Sequence, residues 1–255
     1  MVIQTLVLVI PVYNEGKRLT KSVGRLVECL DTIRINNGIS YKIVIALDCG
    51  SDDSLEIATE LAAQYHDVEL LVEENKRGRG HAVREAWFSY DADIYAFIDA
   101  DLATGTDIIW KSLETFMSTG CDLVISSRYL PDSVVSRPPL RRFISYEYNR
   151  ILRLVFKSHI MDFQCGYKAI KATVRNELLT FTTEDSWFWD TELVVLAEKF
   201  GFAVKELPVF WKEEKYRRTY LRRLLNDVYL HGTGILSLVG SVNSDLRKYN
   251  RLKGR

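Results

Sequence analysis

Asp99-Ala100-Asp101 follows the apolar run Ile94 to Ile98. Residues i and i+2 on an extended segment point to the same side, so both carboxylates can face one hard cation, which in turn can bridge the oxygens of a diphosphate. A departing diphosphate gathers charge as its bond breaks, and a bound cation offsets that charge. Asp-x-Asp is common by chance; its place directly after an apolar strand makes it more specific. Two further acidic segments also end apolar runs: PVYNEG from Pro11 to Gly16 and DCGSDDS from Asp48 to Ser54. Each alone reads as turn and helix N-cap chemistry, whereas three converging on one edge of a sheet read as a site. Asn75 to Ala82 (NKRGRGHA) adds the opposite charge. Gly78 and Gly80 let the backbone approach a ligand, and Lys76, Arg77 and Arg79 stand beside a helix starting near His81. No Gly-Lys-Ser/Thr follows, which separates this loop from the phosphate loop of ATPases.

The elements that must position these residues alternate along the chain. Thr5 to Ile10, Tyr41 to Leu47, Val68 to Val72, Ile94 to Ile98 and Asp122 to Ser126 have the β-branched, apolar character of strands. Between them, Leu19, Val23, Leu26, Val27 and Leu30 share one helical face. So do Leu55, Ala58, Leu61 and Ala62, and again Ile109, Leu113, Phe116 and Met117. Four such alternations predict an α/β fold with a mainly parallel sheet covered by helices on both sides. Ligands in such folds sit beyond the carboxyl ends of the strands, where the acidic segments fall.

The composition is that of a globular protein: 255 residues, 47% hydrophobic, 27% charged, with 34 basic and 34 acidic side chains. That excludes disorder and disulfide-rich miniproteins, and zero net charge argues against a nucleic-acid partner. Cys29, Cys49, Cys121 and Cys165 form no Cys-x-x-Cys pair. With no signal-peptide pattern, they point to a reducing compartment and away from structural zinc. The apolar runs Leu6 to Val12 and Gly234 to Val242 are far shorter than the ~20 residues of a membrane span. No transmembrane segment is expected, although the protein could still lie on a bilayer.

The order of PVYNE, the Asp48 turn, Asn-x-x-Gly-x-Gly-x-Ala and Asp-x-Asp resembles the family-two inverting glycosyltransferases, with their GT-A nucleotide-sugar fold. Ser127-Arg128-Tyr129, Asp162 to Lys168 (DFQCGYK), Trp189 to Leu193 (WDTEL) and Glu206 to Val209 (ELPV) extend the likeness to the polyprenyl-phosphate sugar transferases, closest to the dolichyl-phosphate glucosyltransferase branch. It covers roughly residues 5 to 220. The resemblance implies that Pro11, Tyr13 and Glu15 shape a nucleoside pocket and that Asp48 contacts the base. Lys76, Gly78, Gly80, Asp99 and Ala100 would complete the nucleotide-sugar site. Asp101 would be the principal ligand of a magnesium or manganese ion, with Asp99 beside it, and Arg128, Gln164, Lys168 and Asp190 would line the reaction centre. Cys49 stands where the family has a second turn Asp, and Ala103 where mannose synthases often carry Gln, which leans away from mannose. A uridine diphosphate sugar is the favoured donor. Thr183-Glu184-Asp185 spells the base motif of cellulose-synthase-like relatives, but its spacing to Gly201 is too long. Asp185 is therefore expected to be a helix N-cap, and Asp190 to belong to the site.

The acceptor decides whether a base is needed. A hydroxyl must lose a proton as it attacks, whereas a phosphate monoester, with a second pKa of about 6, is already mostly dianionic and needs positive charge instead. Residues 137–157 carry six basic side chains against Glu147, and residues 212–223 carry six against Glu213 and Glu214. The remainder must then be acidic. The first window predicts an amphipathic helix, with Leu140, Phe143 or Ile144, Tyr148, Ile151 or Leu152 and Val155 on one side and Arg142, Asn149, Arg150 and Arg153 on the other. Such a helix suits an anionic membrane surface. Arg137, Lys215 and Arg217 are the expected contacts to an acceptor phosphate, the latter two on a basic lid. A second amphipathic helix is expected from Leu221 to Tyr229. The expected organisation is a GT-A domain over 1–220, with the basic helix 137–157 inserted, and an amphipathic extension over 221–255. Sugar transfer to a polyprenyl phosphate at the cytoplasmic face of a membrane is the function these features imply, and a soluble transferase using Asp190 as base is the alternative.

Overall fold

The structure is a computed structural model that describes residues 2–48, 50–212 and 220–254, with the side chains of 220–229 left aside. Strands β1 (Thr5–Val12), β2 (Ser40–Asp48), β3 (Val68–Glu73), β4 (Ile94–Ile98) and β5 (Leu123–Ser127) fall where the apolar runs place them. Helices α1 (Gly16–Asn37), α2 (Ser54–Gln64), α3 (Arg79–Ser89) and α4 (Asp107–Thr119) alternate with them. Then follow β6 (Val134–Ser136), α5 (Pro139–Phe156), β7 (Tyr167–Lys171), α6 (Ala172–Leu179), α7 (Trp189–Lys199), β8 (Val204–Pro208), β9 (Phe210–Lys212) and α8 (Tyr220–Leu252).

The main sheet runs β3-β2-β1-β4-β7-β5-β8. All neighbours are parallel except β7, which runs antiparallel between β4 and β5. The sequence pattern does not predict β7 as a strand, because Lys168 and Lys171 interrupt its apolar run. Its five residues are all buried nonetheless. Parallel β6 and β9 form a small separate sheet, and Val209 separates β9 from β8 of the main sheet.

Side chains on the two sheet faces build two apolar cores. Leu19, Val23 and Leu26 of α1, Ala58 and Leu61 of α2, and Ile109, Leu113 and Phe116 of α4 cover one face. Leu55 and Met117, expected on these inner stripes, turn outward. Trp87 of α3, Leu178 of α6, Leu193 and Leu196 of α7, and Leu152 and Phe156 of α5 cover the other. Leu238, Val242 and Tyr249 bring α8 into this second core, with Tyr249 stacked on Phe200 at 4.2 Å between centroids. After β1 the chain builds β2 and β3 to one side and then returns to place β4 on the other. This reversal opens a crevice at the carboxyl ends of β1 and β4, the place where such sheets take ligands.

Among the described residues, no helix is long and apolar enough to cross a membrane.

Candidate active site

Three loops leave the sheet at this crevice and are tied to one another. Asn14 adopts a left-handed φ of 56°, and its Oδ1 accepts the Ser51 amide at 2.8 Å. The Glu15 amide donates to Ser54 Oγ at 2.9 Å, and the Gly16 amide to Asp52 at 3.2 Å. The PVYNEG and DCGSDDS segments are thus one latched unit. Pro11 lies one residue before the end of β1, the centroid of the half-exposed Tyr13 ring lies 3.9 Å from Lys76 Nζ, and Glu15 pairs with Arg18 at 3.3 Å. Asp48 is buried, and its two oxygens accept the amides of Arg77 and Gly78, each at 3.0 Å. This carboxylate fixes the basic loop and so reaches the site partly through it.

Gly78 and Gly80 are needed for a protein contact. A Cβ on Gly78 would meet Asp185 O at 2.5 Å, with φ at +115°, and one on Gly80 would strike the Trp189 side chain. The space read from sequence as room for a ligand is filled by the segment leading into α7. Asp185 also differs from expectation. Helix α7 begins four residues later, and the Asp185 carboxylate instead pairs with Arg84 and lies 3.7 Å from His81 Nδ1. Glu192 reaches back from the first turn of α7 to accept the Thr183 and Glu184 amides.

Beyond β4, the Asp99 amide donates to Gly166 O at 3.0 Å, and Ala100 is buried with its carbonyl accepting Ser22 Oγ at 2.6 Å. Asp101 Oδ1 accepts the Ala103 amide at 3.0 Å, which closes a tight turn through Leu102 at φ 49°. Asp99 Oδ1 lies 2.8 Å from Arg79 Nη2, and Arg79 Nη1 lies 2.5 Å from Asp190 Oδ2. Asp190 Oδ1 faces Lys168 Nζ at 3.5 Å. Burial, together with the charges of Asp101 and Asp190, pushes the Asp99 carboxyl up to about 6 against the pull of Arg79. Burial holds the Lys168 ammonium below its usual range, with Asp190 opposing the shift. A Cβ on Gly166 would land on Asp99 Oδ2, so the Asp-x-Asp turn requires glycine there.

Residues 7–179 match the family described as Glycosyl transferase family 2. The chain belongs to that family. Glycosyltransferase AglD of Haloferax volcanii is 33% identical over 204 residues, covering 80% of this chain and 32% of the relative. Dolichyl-phosphate beta-glucosyltransferase ALG5A of Trichomonas vaginalis is 28% identical over 210 residues, covering 81% of this chain and 65% of the relative. The chain therefore spans about a third and about two thirds of these two proteins. Glucosyl-3-phosphoglycerate synthase of Mycobacterium tuberculosis, solved with Mn2+, uridine diphosphate and glucosyl-3-phosphoglycerate, superposes with a TM-score of 0.66 at 16% identity. The overlap covers 93% of this chain and 80% of that one. The fold is accordingly the GT-A fold.

In this family-2 chain the Ser-Arg-Tyr and Asp-Phe-Gln motifs meet one another. Arg128 is buried against Asp162, with Nε to Oδ2 at 2.7 Å, Nη2 to Oδ1 at 2.8 Å and its own amide to Oδ2 at 3.0 Å. That partner takes the Nε–Nη2 edge of the guanidinium. Arg137, between β6 and α5, is pushed down to about 10 by burial and by the Arg128 charge nearby. Arg128, Tyr129, Pro139, Arg142, Phe143 and Tyr146 line a groove of about 550 Å³. Gln164 Nε2 lies 3.2 Å from His231 Nε2 of α8. Lys215 and Arg217 lie outside the described residues.

Helix α5 forms as expected but is turned differently. Ser145, Asn149, Leu152 and Phe156 face inward, and Asn149 Oδ1 accepts the Phe163 amide at 2.9 Å. Leu140, Phe143, Ile151, Leu154 and Val155 are exposed alongside Arg142 and Arg150. Asn149 thus belongs to the core, and the outer face mixes apolar and cationic side chains.

The residue that sequence reasoning undervalued is Arg79, counted there only as loop charge. Its place inside Gly-Arg-Gly at a helix start was a signal; its partners are 20 and 111 residues away.

Proposed function

We propose that this chain transfers a hexose from a nucleoside diphosphate sugar to a polyprenyl phosphate, with inversion at the anomeric carbon. The observation that carries the reading is the state of Asp190. It is the carboxylate best placed to deprotonate an acceptor hydroxyl, yet it is buried and each of its oxygens faces a buried cation, Arg79 or Lys168. That setting holds charge in place and offers no path for passing a proton on. A phosphate acceptor needs no base, because its oxygen already carries the charge with which it attacks.

In the proposed reaction an acceptor phosphate oxygen attacks the anomeric carbon in line as the bond to the diphosphate oxygen breaks. The latched 11–16 and 50–54 segments support the nucleoside, and the basic loop at 76–78 faces the diphosphate. A uridine donor is the expectation, in keeping with the nucleotide bound to the mycobacterial relative by fold. A hexose and a dolichyl-type lipid agree with the name that ALG5A carries.

The residues present suit a divalent cation supplied with its substrate. Among the described residues, no group of three His, Cys, Asp or Glu side chains could hold a metal by itself. Magnesium and manganese commonly bind through one or two carboxylates plus substrate phosphates, and Asp101, with Asp99 beside it, offers such a set. When bound there, the ion would offset the charge on the departing diphosphate. Acceptor access is supported by the exposed apolar and arginine side chains of α5, which suit the interface of an anionic membrane on the cytoplasmic side.

The test is incubation with a panel of radiolabelled uridine and guanosine diphosphate sugars and polyprenyl phosphate, followed by organic extraction. At least one donor is expected to give labelled lipid. If none does, and the purified protein instead glycosylates a sugar hydroxyl with a large loss in Asp190→Asn, the acceptor assignment fails.

A further inference from the structure

Arg79 opens α3, and only 7% of its side chain is exposed. Its guanidinium carbon lies 4.7 Å from the Phe97 ring centroid and 4.7 Å from that of Trp187. The end of the same group meets two carboxylates from two different elements, Asp99 after β4 and Asp190 on α7. A planar fork can contact two rings and bridge two carboxylates at once; an ammonium has no such shape. Asp101, two residues from Asp99, receives only the Ala103 amide among the hydrogen bonds described for its carboxylate. The two aspartates of the motif therefore stand in different surroundings: Asp99 has a buried counter-ion, and Asp101 is half-buried with coordination capacity to spare.

We propose that Arg79 is a positioning residue that divides the work of the Asp-x-Asp pair. It clamps Asp99 to Asp190 and leaves Asp101 as the carboxylate that takes the divalent cation. Its charge also limits how tightly the empty site holds that cation, so that ion and diphosphate bind together. The kinetic arm of the test rests on the glycosyl-transfer reading, while the binding arm stands apart from it.

The experiment titrates the full chain with manganese(II) alone and reads the free ion by electron paramagnetic resonance. Arg79→Gln removes the positive charge that pairs with Asp99, two residues from Asp101, and releases Asp99, so the ion is expected to bind at least about ten-fold more tightly. Turnover in the same variant is expected to fall on the order of 100-fold, because Asp99 is no longer held. Arg79→Lys restores the charge but not the bridge. Its manganese affinity should return to within about two-fold of the parent while its kcat stays low. A merely structural role would weaken binding and turnover together. Unchanged or weaker manganese binding in folded Arg79→Gln overturns the proposal, and so does full turnover in Arg79→Lys. Should Arg79→Gln not fold, Trp187→Ala at a half-exposed position loosens one side of the clamp. A two- to three-fold tightening is then expected, on the order of what one cation–π contact contributes, and no tightening overturns the proposal. If wild-type protein turns over no donor, the function reading fails while the manganese series still decides the role of Arg79. If transfer proceeds and the series is flat, Arg79 alone is misassigned.

Discussion

Asp162→Ala removes the carboxylate that pairs with Arg128, and it does so at a fully buried position. Four donors converge on that carboxylate: the Arg128 amide, Nε and Nη2, and the Gln164 amide at 3.2 Å. Stranding a buried guanidinium costs about 3–5 kcal/mol, far more than an exposed pair would. For a chain of this size that lowers the Tm by on the order of 10 °C. The damage should reach the site as well, because residues 162–166 form one segment and Gly166 packs on Asp99. Burial alone would raise the Asp162 carboxyl, but the charge and hydrogen bonds of Arg128 outweigh it and hold it below its ordinary value. A folded-state value depressed in this way stabilises the protein fully above the unfolded-chain pKa of about 3.9 and ceases to do so as pH falls through the folded value. Urea melts at pH 7 should therefore show the full loss, and the gap between parent and variant should narrow below about pH 4. The double variant Arg128→Met/Asp162→Leu replaces both charges with apolar groups and should recover most of the loss. A cost below about 1 kcal/mol for Asp162→Ala, or a double variant no more stable than the single one, would refute the reasoning.

Asp101→Ala is expected to abolish transfer while leaving the Tm within a few degrees of the parent, since the side chain is only half-buried; near-parental activity would remove it from the site. Gly166→Ala should cut kcat by on the order of 100-fold by displacing Asp99, with the fold kept, as judged by circular dichroism and single-turnover assay. Binding to anionic vesicles should weaken from 0.05 to about 0.5 M salt, and again in Arg142→Glu, Arg150→Glu and Arg153→Glu, measured by co-sedimentation; salt-independent binding would rule out the α5 surface as an electrostatic contact.

Much of the architecture could be read along the chain because it is local. Strands β1 to β5 follow from short apolar, β-branched runs and helices α1, α2 and α4 from helical patterns, and the acidic turns at Pro11, Asp48 and Asp99 mark the carboxyl ends of their strands. Strand β7 was invisible for a physical reason: Lys168 and Lys171 lower its apolar score, and only β4 and β5 on either side make it a strand. Helix α5 was legible as a helix, but its rotation was not. Asn149 is inside because the Phe163 amide needs an acceptor there, a demand from a residue 14 positions away.

The site divides along the same line. Residue types and order alone established the Asp-x-Asp pair, the basic glycine loop and the family likeness, because backbone conformation and charge are encoded within a few residues. Pairing is not encoded in that way. That Arg79 joins Asp99 to Asp190, that Asp162 takes up Arg128, and that Gly78 and Gly80 make room for the 185–189 segment follow from crossings of distant segments. Only the folded sheet fixes those, because a buried charge finds its partner in three dimensions and the chain order is indifferent to it.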